Sequence, residues 1–378
     1  MYVVIFVLAL IFVIMFHEFG HFATAKLFHM KVTQFFLGFG PKIWSFRKGE
    51  TEYGVKGIPA GGYVKIVGMS SFEEVSEEDR GRTFHEQPAW QRAIVLVAGS
   101  FTHFLVAGVL LVAALGFVGY PIATNGIGEA VAGSPARAAG LAPGDRIVAV
   151  DGQATGDFDA VRQAVTARPS DDVILTVEHA GERREVAVTI GEQTVEGRTV
   201  GLLGVRPAVE VFRESFPDAV KGVFVGDFSI PRLTGLTLSG LVQAFSPTGL
   251  SRWFGEIGSQ GPRDPNGPIS LVGVGQVVNT LGNQGDIFAV LGFLAQLNIV
   301  LGTLNMLPLP PLDGGHLATL LVEEGVNGVR RRRGREDRWR LDPAILTPIA
   351  LAVILFFSVV SLTALYIDLV KPASDLIQ

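Results

Sequence analysis

The sequence predicts a polytopic α-helical membrane protein with about four transmembrane helices, a membrane-associated β-hairpin loop and an inserted extracytoplasmic α/β domain. Three observations carry that expectation. Of the 378 residues, 48% are hydrophobic and only 18% charged, with a mean hydropathy of +0.39, too apolar for an ordinary soluble chain. Four stretches are long and apolar enough to cross a bilayer, which takes about 20 helical residues. Between the second and third lies a long segment with strand-like alternation and Gly/Pro turn signals. The same composition excludes other classes. A net charge of −5 leaves no basic footprint for nucleic acid, and the absence of cysteine removes disulfides, iron–sulfur clusters and thiolate metal sites. Any metal has to be held by His, Asp, Glu or Asn.

In chain order, residues 1–28 are the first span; residues 1–16 hold no Lys or Arg and no small-residue cleavage site follows, so it reads as a retained helix. Residues 29–92 form a loop region carrying Lys31, Lys42, Arg47, Lys48, Lys56, Lys65, Arg80 and Arg82. Residues 93–120 are the second span, 121–206 a soluble domain, and 207–286 a Gly/Pro-rich connector expected on the outer membrane surface. Residues 287–323 are a third membrane segment with a broken helix, 324–343 a basic loop with Arg330–Arg333, Arg335, Arg338 and Arg340, and 344–369 the fourth span. Lys and Arg in short connections face the cytoplasm, so both basic loops are expected there, with the termini and residues 121–286 outside. The arginine run reads as a solvated topogenic loop rather than a lipid-binding site.

Within the first loop, "YGVKGIPAGGYVKIVGM" (53–69) mixes β-branched and aromatic residues with paired glycines, as hairpins do, and "GFGP" (38–41) is turn punctuation. Irregular backbone at membrane depth is tolerated only where protein or a water-filled cavity satisfies it. In 127–206, "AGSPARAAGLAPGDRIVAVDG" reads as a turn, a short helix, a Pro-Gly-Asp turn and the strand Arg146–Val150. A helical stretch at Phe158–Val165 and strands Val173–Val177 and Glu185–Ile190 follow. This pattern resembles a PDZ domain of the bacterial protease-associated type. The resemblance implies peptide recognition by β-augmentation or gating of access, with "GLLGV" (201–205) as its carboxylate-binding loop or a plain terminal strand.

The chemistry sits in "HEFGH" (17–21). His17 and His21, four apart, lie one turn above each other on one helix face and can share a cation, with Glu18 at the same level. In H-E-x-x-H metalloproteases the histidines bind zinc and the glutamate moves the proton of the attacking water. Ionisable groups in a span cost on the order of 2.5–3.5 kcal/mol each, so their presence points to function rather than to interhelical glue. Two histidines are an incomplete site. The third ligand is open between His103, Asp313, His316 and Asp368. Asp313 has the most informative context, "NIVLGTLNMLPLPPLDGGH": Pro308, Pro310 and Pro311 break a helix, and Gly314 and Gly315 let the backbone turn, which puts an anion on unwound backbone inside a span. Asn305 is placed to hold the scissile peptide or its oxyanion.

"HEFGH" in the first span with "NMLPLPPLDGG" in a later one resembles the site-2 protease family of intramembrane zinc metalloproteases, in its bacterial RseP-like branch. "GFGPKIWS", "GIPAGGYVKIVGM", "FHEQPAWQRAIVLVAG" and "GPISLVGVG" extend the match, weakest over 207–262. The resemblance implies Zn2+ bound by His17, His21 and Asp313, Glu18 as catalytic base, and Asn305 at the substrate. It also implies that Gly61, Gly62 and Tyr63 of the "GGYVKI" loop present substrate as an added strand. Implied partners are single-span substrates such as anti-sigma factors or signal-peptide remnants, an upstream site-1-type protease, and the lipid bilayer. The implied location is the bacterial inner membrane, with the active site near the cytoplasmic side. Two departures stand out: where the family has A-G-P-x-x-N-F this chain reads "AGSFTHF", with Ser100 and His103 in the Pro and Asn positions, and one PDZ signature is present rather than two. His103 reads as a histidine hydrogen-bonded between helices. Two rivals remain: an inactive PDZ scaffold, disfavoured by the presence of Glu18, and a divalent-metal transporter, disfavoured by the lack of inverted repeats.

Overall fold

The structure, a computed structural model, describes all residues except 70–74, 196, 260, 266, 336, 338, 342 and 378, and the side chains of 60, 343 and 344 are left aside. Arg338 of the basic loop therefore lies outside the described residues. The chain divides into two compact units, residues 1–116 with 215–378, and residues 117–214. Among the described residues four helices are long and apolar enough to cross a membrane: Tyr2–Leu27, Ala89–Val118, Ile287–Asn305 and Ile345–Val370.

The first unit opens with α1 (Tyr2–Leu27), an unbroken apolar helix that satisfies its own backbone, as a span must. β1 (Val32–Lys48) and β2 (Thr51–Ile66) follow and pair antiparallel. Their register corrects the hairpin expected within 53–69. Residues 34–37 pair with 62–65 on one side and with 52–55 on the other, so the two arms of the expected hairpin flank a third segment instead of each other. The chain allows this because it doubles back at 38–41, where Gly38 and Gly40 take positive φ, and again at Lys48–Thr51. α2 (Ala89–Val112) starts directly after Pro88 and runs on in π-helical form through Val118.

The second unit is built on an antiparallel sheet in the order β10-β3-β4-β6-β7. In chain order its elements are β3 (Tyr120–Ala130), α3 (Pro135–Ala138), β4 (Arg146–Val150), β5 (Gln153–Ala154), α4 (Phe158–Thr166), β6 (Asp172–His179), β7 (Glu182–Thr189), β8 (Gly191–Val195), β9 (Arg198–Leu202) and β10 (Val205–Phe212). Alternate residues of the strands and the inner face of α4 fill one core around Ile127, Ile147, Val161, Leu175, Val177 and Ile190. Two boundaries shift against the sequence reading. Tyr120 belongs to a strand rather than a span, and residues 207–212 close the sheet against 120–127 instead of opening the connector. Long-range pairing decides both ends, and a local apolar pattern does not report it.

The first unit resumes with α5 (Phe216–Phe224), α6 (Ile230–Ala244), α7 (Pro247–Glu256) and α8 (Leu271–Asn283), so residues 216–283 are largely helical rather than a plain connector. Ala219 and Val223 on one face of α5 are buried, and Val223 packs with Ala107, Leu111, Ala295 and Ile299. α9 (Ile287–Asn305) ends before the prolines, and α10 (Asp313–Arg332) begins after them. The expected break is therefore present, but Asp313 is the first residue of the new helix rather than part of the unwound stretch. α10 also runs on through Arg332, so the first three arginines of the basic loop are helical; cations at a helix C-terminus are electrostatically favoured. α11 (Pro343–Val370) is the last span.

Candidate metal centre

Three elements of the first unit bring the chemistry together. α1 presents His17 and His21 from one face, and their rings meet edge to face at 4.9 Å. α2 crosses α1 at Gly99, where a Cβ would stand 2.2 Å from His21 Nε2, so only glycine leaves the histidine its place. α10 starts at Asp313 because the proline-broken segment folds back on its first turn. A Cβ on Gly314 would lie 2.2 Å from the Met306 carbonyl oxygen, and one on Gly315 2.5 Å from Pro310 N.

The donor atoms converge. His17 Nε2 lies 3.5 Å from Asp313 Oδ2, His21 Nε2 lies 3.4 Å from the same oxygen, and the two Nε2 atoms are 3.3 Å apart. Zinc bonds of about 2.0–2.1 Å at tetrahedral angles separate neighbouring donors by about 3.3–3.4 Å, so the triangle has the edges a tetrahedral zinc ion requires. The hydrogen bonding agrees. His21 Nδ1 donates to the Val95 carbonyl at 2.7 Å, which turns the Nε2 lone pair toward the other two groups. His17 Nδ1, by contrast, is buried without a hydrogen-bond partner. Among the described residues, His17, His21 and Asp313 are the one group of such side chains close enough to hold a metal ion. Three donors would leave a fourth position of a tetrahedral ion open, as catalytic rather than structural zinc sites do.

The other candidates separate cleanly. His103, buried on α2, sits with its ring 5.1 Å from that of His17 but places Nδ1 3.3 Å from Asn298 Oδ1 on α9, the interhelical bond expected of it. His316 is exposed on α10. Asp368 on α11 is fully buried against Arg263, 2.5 Å away, and accepts the Ser270 N–H at 2.7 Å. Asn305 is the half-buried last residue of α9.

The β-loop reaches this centre. A Cβ on Gly62 would lie 3.0 Å from Glu18 Cγ and 3.1 Å from Met15 Sδ, so β2 passes directly against the glutamate. Gly61 has φ +123°, a conformation few other residues adopt. Tyr63 is anchored by hydrogen bonds with Gln34 Oε1 and Lys56 Nζ at 2.6 and 2.5 Å. Two groups at the centre had no role in the sequence reading. Gly99 carried no signal beyond its place in a small-residue run, and Ser100 was visible only as a departure from the family pattern; its Oγ stands 3.3 Å from Asp313 Oδ2.

Comparisons with known proteins give the chain's family. The pattern of peptidase family M50 matches residues 5–355. The chain is similar to zinc metalloprotease Rip1 of Mycobacterium bovis, 32% identical over an alignment 405 positions long, gaps included, that covers 98% of this chain and 97% of the relative. It is also similar to zinc metalloprotease Rip1 of Mycolicibacterium smegmatis, 33% identical over an alignment 413 positions long, gaps included, that covers 98% of each chain.

Proposed function

We infer the function from one premise: the chain belongs to peptidase family M50, and it is a site-2-type zinc metalloprotease that hydrolyses peptide bonds within the membrane. We propose that His17, His21 and Asp313 are its zinc ligands and Glu18 its catalytic base. The observation that carries the assignment is the triangle of donor atoms 3.3–3.5 Å on a side, with Glu18 next to one ligand on the same helix. Zinc held by these three residues would supply Lewis acidity to the scissile carbonyl and make the attacking water easier to deprotonate. Glu18 accepts a proton from the attacking water as its oxygen bonds to the scissile carbonyl carbon. The same carboxyl returns that proton to the amide nitrogen as the C–N bond breaks. Asn305 donates from its amide to the scissile peptide or its oxyanion.

The substrate has to be unwound, because a helix buries its own amides. In our reading Gly61, Gly62 and Tyr63 offer a strand edge to which it adds. The passage of β2 against Glu18 supports this, and the exposed Phe39, Ile43, Trp44 and Ile58 suit a sheet that meets lipid. A groove of about 330 Å³ lined by Phe12, Val13, Phe16, Val109, Leu297 and Leu301 suits an apolar substrate segment. A cavity of about 1150 Å³ bounded by Val64, Arg92, Pro311, His316, Glu323 and Arg340 suits water.

We further propose that the substrates are single-span proteins such as anti-sigma factors or signal-peptide remnants, trimmed first by a site-1-type protease. The enzyme lies in the bacterial inner membrane with both basic loops in the cytoplasm. Residues 117–214 act as an extracytoplasmic PDZ domain that excludes substrates with large external parts. Deleting residues 127–206 is then expected to let full-length substrates be cut without a first cleavage. Full-length substrates that stay uncut would contradict the gate. His17→Ala and Asp313→Asn, assayed for metal content and for cleavage of a single-span peptide, test the ligands: both are expected to lose zinc and activity together.

A further inference from the structure

α2 is apolar for most of its length, yet each proposed ligand meets a group of this helix. The Val95 carbonyl holds His21 Nδ1 at 2.7 Å. Ser100, 1% exposed, stands 3.3 Å from Asp313 Oδ2, the oxygen that also faces both imidazoles. An ionised carboxylate only accepts, so the hydroxyl is the donor. His103, three residues on and on the same helix face, lays its ring 5.1 Å from the ring of His17. Its own orientation is fixed: Asn298 Nδ2 donates to the Leu294 carbonyl at 2.9 Å, which leaves Asn298 Oδ1 to accept from His103 Nδ1 at 3.3 Å. The neighbouring hydroxyl is already spent elsewhere, since Thr102 Oγ1 donates to the Gly99 carbonyl at 2.7 Å.

We propose that Ser100 and His103 are positioning residues of the metal centre, Ser100 orienting the Asp313 carboxylate and His103 the ring of His17, so that α2 forms the outer shell that sets metal affinity. The proposal rests on the ligand assignment above. A carboxylate with a free torsion and an imidazole with an unpartnered Nδ1 both lose order when the metal-binding face is all that holds them. Outer-shell groups restrict them before the metal arrives, and removing such groups typically weakens metal binding by about 10–100-fold.

The test uses the full-length protein in detergent. Zinc affinity is measured by competition with a chelating dye, the visible spectrum of the cobalt-substituted form is recorded, and the melting temperature of the metal-free protein is taken. Ser100→Ala is expected to lose about 10–100-fold in zinc affinity and to shift the cobalt bands, with the metal-free melting temperature unchanged. Ser100→Thr, which keeps the hydroxyl, is expected to regain most of the affinity. His103→Ala is expected to show a smaller loss in the same direction. Wild-type affinity and spectra in both alanine variants would overturn the proposal, as would a Ser100→Thr protein as weak as Ser100→Ala. Failure of the ligand assignment reads differently: His17→Ala would then bind zinc as tightly as wild type, and the outer shell would fall with it.

Discussion

Asp313 and Asp368 are both carboxylates held among apolar helices, and they end in opposite surroundings. Asp368 is fully buried and neutralised: Arg263 stands 2.5 Å from one oxygen, and the Ser270 N–H donates to the other. Further bonds from Arg263 to the Lys371 and Pro268 carbonyls, at 2.9 and 3.2 Å, fasten the end of α11 to the segment before α8. Asp313 has two imidazoles and one hydroxyl around one of its oxygens, and in the proposed centre, where those imidazoles would be neutral ligands, its charge would be matched by the metal ion. A buried charge is therefore no mark of a site by itself. The contrast lies in the partners: a guanidinium beside Asp368, and beside Asp313 side chains that can themselves bind a metal.

The sharpest way to break that comparison is to neutralise each carboxylate in turn. Asp313→Asn is expected to abolish zinc binding and cleavage while the metal-free protein melts as wild type does. Asp368→Asn is expected to keep one zinc per chain where folded but to lose about 3–5 kcal/mol of stability, because it leaves Arg263 buried and unpaired. Denaturant unfolding with metal analysis on both variants separates the two roles, and a swap of phenotypes would undo the contrast. Replacing Arg263 and Asp368 together by Met and Leu is expected to recover most of the loss, since paired removal leaves no orphan charge.

Gly99→Ala sharpens the comparison at the metal side. Its Cβ would stand 2.2 Å from His21 Nε2, so we expect lost zinc binding together with an overpacking cost of about 1–3 kcal/mol, read by metal content and melting temperature. The effect most confined to stability belongs to Asp145, a buried carboxylate of the second unit. Burial pushes its pKa up, but the Ala142 N–H, His179 and Arg184 outweigh that and hold it below the ordinary 3.8. A lowered folded-state pKa means that the unfolded chain takes up the proton first. The stabilisation is thus complete above the unfolded value and is lost as pH falls through the folded one. Asp145→Asn is expected to cost about 1–3 kcal/mol near neutrality, with the gap to wild type closing on acidification. A gap that widened would reverse the sign of the argument.

Much of the centre was legible because it obeys local rules. Two histidines at i and i+4 share a helix face whatever the rest of the chain does, and three prolines within four residues break a helix wherever they stand. The four spans followed from continuous apolar length. What escaped depends on contacts between distant segments. The insertion of residues 34–37 between the arms of β2 needs the turns at 38–41 and 48–51 to act together. The pairing of β10 with β3 reassigns residues that read locally as span and connector. Asp368 stayed open as a ligand because sequence shows that an anion is buried and does not show that Arg263 waits beside it. Ser100 was visible only as an unusual residue, since a hydroxyl in a span gives no hint of the carboxylate it faces.

The most direct test of the central claim is cleavage of a single-span, anti-sigma-factor-like peptide by purified protein in detergent, wild type beside Glu18→Gln, with zinc measured in both. In the proposed mechanism Glu18 takes the proton without holding the metal, so its amide separates the two roles. Cleavage by wild type alone, with about one zinc in each protein, is the expected result. Equal cleavage by the two proteins, or no zinc in either, would contradict it.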